Sequence, residues 1–377
     1  MTAPALDADI LLADPETRII VCCGSGGVGK TTTAAALALR AAELGRVTVV
    51  LTIDPARRLA QSLGLGLVSL DNTPRQVPSA GKNGGELHAM MLDMKRTFDD
   101  VVIAHTTPDK AQQIFANPFY QAMSTSFAGT QEYMAMEKLG QLRADDSWEL
   151  IVVDTPPSRS ALDFLDAPQR LSRFLDGRMI RLLMAPAKAG GRVYTRVLGV
   201  GMNVFGRVVA RVLGTQLLRE VSAFVAALDT MFGGFRERAQ ATYDLLKKPG
   251  TSFLVVAAPE PDALREASYF VSRLAEERMP LAGLVLNRVH HSGASTLTAE
   301  RSLAAAEALE ESGGSATAAG VLRVHADRAM LAHRERRLAD RFSSAHPQVP
   351  VVEVPAQAAD IHDLPGLRRV GAALRGR

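Results

Sequence analysis

Gly24-Ser25-Gly26-Gly27-Val28-Gly29-Lys30-Thr31 fits the spacing G-x-x-x-x-G-K-[ST]. Glycines in such a run let the backbone wrap a phosphate chain, so that the N–H groups of Gly26, Gly27, Val28, Gly29, Lys30, Thr31 and Thr32 turn inward. Lys30 can reach the terminal phosphates, and the Thr31 hydroxyl suits Mg²⁺. The chemistry on offer is the binding and hydrolysis of a nucleoside triphosphate. The competing reading is a glycine-rich turn that matches by chance. The context speaks against it: the apolar run 18–23 comes before and the Ala-rich run 32–40 after, which is strand, loop, helix.

Two carboxylates complete the set. Ile151-Val152-Val153-Asp154-Thr155-Pro156-Pro157 is a β-branched run ending in Asp154, where a phosphate loop needs an acid to hold Mg²⁺ through water. Taken alone, the same residues read as a strand followed by a turn. Val49-Val50-Leu51-Thr52-Ile53-Asp54-Pro55-Ala56 brings Asp54 out of the sheet beside the expected γ-phosphate. There it can orient a water, accept its proton and stand near the metal. Asp before Pro is also a helix start signal, and the two roles are compatible.

The elements that must position these residues follow from the apolar runs. Runs at 18–23, 47–53, 149–154, 252–258, 281–287 and 350–354 read as buried parallel strands separated by helices. The expected fold is α/β, a mostly parallel sheet flanked by helices, with ligands beyond the carboxyl ends of the strands. Residues 72–85 read as a surface loop and 290–320, rich in Ser, Gly and Ala, as a mobile segment. Helical periodicity fills 105–145 and 159–248, an inserted α-helical subdomain. The expected organisation is core at 1–104, insert at 105–145, core strand at 146–158, helical subdomain at 159–248 and core again at 249–377.

Composition bounds the partners. The chain has 377 residues, 47% hydrophobic and 22% charged, with a net charge of +3, so nothing in the overall charge points to nucleic acid. Its only cysteines, Cys22 and Cys23, are neighbours on an expected strand and face opposite ways, which argues against a disulfide between them and favours small core residues. No C-x-x-C or His/Cys metal spacing occurs. The N-terminus lacks a signal-peptide pattern and no apolar run is long enough to span a bilayer, so a cytoplasmic protein is expected, with room for peripheral attachment to the inner face of the membrane.

In order along the chain stand G-S-G-G-V-G-K-T-T (24–32), T-I-D-P-A (52–56), G-T-Q-E-Y-M-A (129–135), D-T-P-P-S (154–158), A-A-P-E-P (257–261), L-N-R-V (286–289) and a proline-led tail segment at 355–371. This ordered set resembles the ArsA-type ATPases, the arsenite-pump ATPase and its relatives that target tail-anchored membrane proteins. It is most similar to the single-domain actinobacterial branch described as anion-transporting ATPases. The resemblance implies a P-loop NTPase of the SIMIBI type with a deviant Walker A loop, using ATP and Mg²⁺. It also implies a nucleotide-sandwich dimer that ATP closes and hydrolysis reopens. By matching position, Asp54 falls in switch I as the water-activating residue and Asp154 opens switch II. Asn287 matches the side chain that reads adenine, and Pro355 begins the loop that covers the base. Without the resemblance Asn287 would be a strand-end turn former.

Three departures stand out. The family's loop usually carries a Lys where this chain has Ser25, and that Lys reaches the phosphates bound by the other subunit. The cation is missing here or comes from elsewhere, and a heterodimer with a related subunit that keeps its Lys would explain the loss. The metalloid-binding cysteines and the C-x-x-C zinc clasp also have no counterparts.

Residues 177–219 contain no Asp or Glu and alternate Arg with apolar residues at helical spacing, describing amphipathic helices with a basic face. Three uses fit: ordinary packing with solvated Arg, a groove for a client's hydrophobic helix, or docking on an anionic membrane or an acidic membrane partner. For the whole chain the leading reading is an ATP-driven switch handling a membrane-directed client. Its alternatives are a compact dimerisation switch like the partition and division-site ATPases, and a small-molecule kinase.

Overall fold

A computed structural model describes residues 4–54, 58–65, 70–81, 83–117, 120, 121, 124, 130–156, 237–294 and 296–376. The chain divides into two compact units, one comprising 1–91, 146–161 and 246–377, the other 92–145 and 162–245.

The first unit is built on an eight-stranded sheet. The six runs expected as strands form β1 (Ile19–Cys23), β2 (Val47–Thr52), β5 (Leu150–Asp154), β6 (Thr251–Ala257), β7 (Leu281–Val289) and β8 (Val351–Pro355). Two more strands were not expected, β3 (Arg75–Gln76) and β4 (Glu86–Met91). The order across the sheet is β3-β4-β2-β5-β1-β6-β7-β8. Every pairing is parallel except β3 with β4. The chain works outward from β1 on one side, then crosses to the other after β5, so the ends of β1, β5 and β6 form a topological switch point. Crevices at such points are where ligands bind in open α/β sheets.

Burial on both faces explains why these strands read as continuous apolar runs: β1 and β5 are buried at all five positions. Alternate residues serve different cores. Ile20, Cys22, Val50, Val152, Leu254 and Val256 join one cluster with the Ala-rich helix α2 (Lys30–Glu43). α1 (Ala8–Ala13) and α3 (Arg58–Ser62) pack on α2. The intervening residues face the opposite side, where α7 (Pro261–Glu276) lies against β6 and β7.

The segment 290–320, expected as mobile, is largely helical. α8 (Ala299–Glu311) and α9 (Ala316–Ala345) form a hairpin turned at Gly313 and Gly314. Thr298 and Ser315 cap them by accepting from the N–H groups of Arg301 and Ala318. Polar and small residues dominate because only a few positions, Ser302 and Ala306 on α8 and Ala319, Ala326, Glu335 and Phe342 on α9, are buried. α10 (Leu364–Ala373), capped by Asp363, follows β8 and packs on α2. The expected loop at 72–85 likewise holds β3, paired antiparallel to β4.

In the second unit, α4 (Met94–His105) packs against α5 (Pro108–Phe115) and α6 (Thr130–Ala144). The Glu137 carboxylate accepts from the Tyr133 hydroxyl at 3.2 Å and from Arg238 Nε at 3.0 Å. The network extends to α4, since Arg238 Nη1 lies 3.0 Å from His105 Nε2. The basic stretch 177–219 lies outside the described residues. Among the described residues no helix is long and apolar enough to cross a membrane.

Candidate active site

The phosphate loop leaves β1 and enters α2. Gly24 adopts φ +150°, and a Cβ there would stand 2.1 Å from the Val256 carbonyl oxygen, so β6 can lie against the loop only if that residue is glycine. Gly29 caps α2 in the left-handed region at φ +96°, and a Cβ would meet Asn287 Nδ2 at 2.2 Å. No side chain caps α2, which leaves its first N–H groups directed at the loop. That end of a helix favours an anion.

Lys30 and Asp154 are the charges of the site's floor. Lys30 is buried, and its Nζ donates to the Ser25 carbonyl at 2.7 Å. Desolvation holds its ammonium below the usual lysine range, opposed by the carboxylates of Asp154 and Asp54. Asp154 is fully buried at the end of β5. Its Oδ2 accepts from Thr31 Oγ1 at 2.8 Å and from Thr52 Oγ1 at 2.9 Å, and its Oδ1 is buried with no partner among the described residues. Burial pushes its carboxyl up to about 6 against the pull of those hydroxyls and Lys30. A hydroxyl and a carboxylate with a spare buried oxygen are the hard oxygen donors that Mg²⁺ takes, so these residues fit that ion.

Above the floor opens a cavity of about 1000 Å³. It brings together Gly27, Gly29, Lys30, Thr31, Thr32, Asp54, Asn287 and Pro355. Gly26 and Val28 belong to the same loop, although neither lines the cavity, and Asp154 lies beneath it. Asp54 is nearly buried at the end of β2. The expected helix start at Pro55 falls outside the described residues, and α3 is described from Arg58. Asn287 Nδ2 donates to the Val28 carbonyl at 2.8 Å, so this side chain braces the phosphate loop. Pro355 ends β8, and residues 356–362 form one wall of the cavity.

Sequence reading missed several residues of this cavity: Arg58 and Gln61 from α3, Arg288 and His290 from the end of β7, and Gln357. Arg288 adopts φ +61° beside an irregularity in the pairing of β7 with β8, which turns its side chain into the cavity. His290 is clamped by Glu335 of α9: one carboxylate oxygen accepts its backbone N–H at 2.7 Å, and the other lies 2.8 Å from Nδ1. The only available signal was proximity in sequence to the T-I-D-P-A and L-N-R-V segments.

A family model described as anion-transporting ATPase matches residues 17–304, most of the chain. The chain belongs to this family. Among its relatives, ATPase ARSA2 of Chlamydomonas reinhardtii is 30% identical over 279 residues, covering 73% of this chain and 68% of that protein. ATPase GET3B of Arabidopsis thaliana is 24% identical over 303 residues, 74% of this chain and 66% of its own length. A protein of Prosthecochloris vibrioformis named as an arsenical pump-driving ATPase is 30% identical over 159 residues, 41% of this chain. This chain spans only 36% of that protein's length. Family membership agrees with the sheet, the loop and the cavity at its switch point.

Proposed function

We propose that this chain binds Mg·ATP in the cavity and hydrolyses it, and that the cycle changes how two subunits meet. The observation that carries the reading is the convergence, at the carboxyl ends of β1, β2 and β5, of the α2 N-terminus, Lys30, the linked pair Thr31 and Asp154, and Asp54.

The N–H groups of Gly27 to Thr32 hold the phosphates, and Lys30 leaves the Ser25 carbonyl to meet the terminal ones. Thr31 and Asp154 would hold Mg²⁺, which when bound neutralises charge on the phosphate oxygens. Asp54 orients a water for in-line attack on the γ-phosphorus and takes its proton. The bond from that phosphorus to the bridging oxygen breaks, and ADP leaves with the bridging oxygen. Asn287 keeps its carbonyl oxygen to accept from the adenine amino group while its amide nitrogen holds the loop. Pro355 and the wall after it cover the base.

The output is the handling of a membrane-directed client or of a membrane partner, supported by family membership and by the acid-free stretch 177–219. A compact dimerisation switch would not require that stretch. Phosphate release from the pure chain with Mg·ATP, compared with an Asp54→Asn variant, tests the reading. Turnover that falls at least about 100-fold in the variant, with ATP still bound, is expected. Equal turnover in the variant removes Asp54 from the chemistry. Purification from native cells in the presence of ATP identifies the second subunit as another copy or as a relative that keeps the lysine.

A further inference from the structure

If the site hydrolyses ATP as proposed, one charge is still unsupplied. By the resemblance, Ser25 stands where the family's loop usually carries a lysine, and its Oγ is buried without a hydrogen-bond partner among the described residues. A hydroxyl cannot neutralise charge that builds on the terminal phosphoryl oxygens. The described residues hold two further arginines at the same cavity: Arg288, which follows Asn287 at the end of β7, and Arg58, which follows Asp54. Leu59, Ala60 and the following Leu63 sink α3 into the core, fixing the helix. Arg58 and Gln61, three positions apart and therefore on one face, are exposed and line the cavity with Lys30, Thr31 and Asp54. Arg58 makes no hydrogen bond or ion pair among the described residues, and it stands only four positions after Asp54. Its charge is felt at the Lys30 ammonium, which it disfavours. Two cations turned toward one cavity repel each other until an anion lies between them.

We propose that Arg58 is a catalytic residue acting in cis: its guanidinium contacts the γ-phosphoryl oxygens of the nucleotide held by its own chain and supplies the charge that Ser25 cannot. A guanidinium suits the task because its fork of donors matches phosphoryl oxygens and its charge does not titrate. The contact strengthens as the equatorial oxygens gain charge, so it acts on turnover rather than on ground-state binding. The pure chain therefore hydrolyses ATP without a lysine-bearing relative.

The test uses the pure full chain and its Arg58→Ala, Arg58→Lys and Lys30→Ala variants. Three quantities are read: affinity for Mg·ADP, affinity for Mg·ADP with aluminium fluoride, and single-turnover hydrolysis. Arg58→Ala is expected to bind Mg·ADP within about threefold of wild type, which also shows that it folds. It is expected to lose roughly 100-fold or more in both aluminium-fluoride affinity and turnover, with partial recovery in Arg58→Lys and on adding guanidinium ion. Undiminished turnover in Arg58→Ala overturns the proposal, as does a wild-type chain that turns over only when a second gene product is added. Lys30→Ala separates the two levels: if it alone loses nucleotide, the site stands and only the role of Arg58 is in question. If Lys30→Ala binds and hydrolyses like wild type, the placement of the phosphates at this loop fails and takes this proposal with it.

Discussion

Asp154 shows how one residue can cost stability and serve the site together. With its carboxyl pushed up to about 6, the folded chain favours the protonated form more than the unfolded chain does, whose value lies near 4. Its contribution is therefore fully present below about pH 4 and is lost as pH rises through about 6. Asp154→Asn, which still accepts from Thr31 and Thr52, removes that loss. The nucleotide-free variant should be more stable than wild type at pH 7.5, by roughly 2–3 kcal/mol, and the gap should close toward pH 4. Chemical denaturation of both proteins across that range reads this. Mg·ATP pulls the other way, since the ion needs the carboxylate: wild-type affinity should fall below about pH 6, and Asp154→Asn should lose Mg²⁺-dependent hydrolysis.

Asn287 makes a sharper case, because its neighbours change its meaning. As a strand-end residue it looks like a turn former, and by family position it looks like an adenine reader. The structure adds the donation from Nδ2 to the Val28 carbonyl. Asn287→Asp should be worse than Asn287→Ala, since a carboxylate placed against that carbonyl repels it and cannot donate. A loss of tenfold or more in ATP affinity is expected for Asp, about 1.5–3 kcal/mol, by calorimetric titration. Equal affinity in Asp and wild type would remove the brace.

At the scale of elements, the strands legible in sequence are β1, β2, β5, β6 and β7, buried along most of both faces, and the edge strand β8, whose three valines stand out although Glu353 is exposed. Their apolar runs follow from burial. β4 was hidden because Glu86 and His88 break its run, although its pairing with β2 buries Leu87, Ala89 and Met90. β3 has two exposed residues and leaves no pattern to find. The hairpin of α8 and α9 is masked in sequence by its small and polar composition, and the caps Thr298 and Ser315 are the signals that mark its helix starts. Glu335 gives that hairpin a mechanical link to the cavity through His290. Glu335→Ala should cost about 1–3 kcal/mol and speed amide hydrogen exchange at His290 and the residues after it. Unchanged exchange there would show that the clamp carries no load.

For the whole molecule, the parallel sheet was implicit in the alternation of apolar runs while its strand order was not, and the loop, Asp54, Asn287 and Pro355 come to the same cavity. What sequence could not show is the other wall. Arg58, Arg288, His290 and Gln357 enter it only because α3, β7 and the segment after β8 converge, and although Arg288 and Gln357 sit inside the L-N-R-V and tail segments, neither is marked there as a cavity residue. The proposed cycle also has a signature in mass. With a non-hydrolysable ATP analogue and Mg²⁺, light scattering should give about twice the 40.3 kDa of one chain, and less with ADP. A single-chain mass under every nucleotide would contradict the dimer.

The most direct test concerns Lys30, on which the proposed phosphate binding rests whatever the client or partner. Titration of Mg·ATP into wild type and Lys30→Ala, followed by turnover of each, reads it in one comparison. The account predicts that the variant loses at least about 100-fold in affinity and all measurable turnover while melting as a folded protein. A Lys30→Ala chain that binds and cleaves ATP like wild type would contradict it.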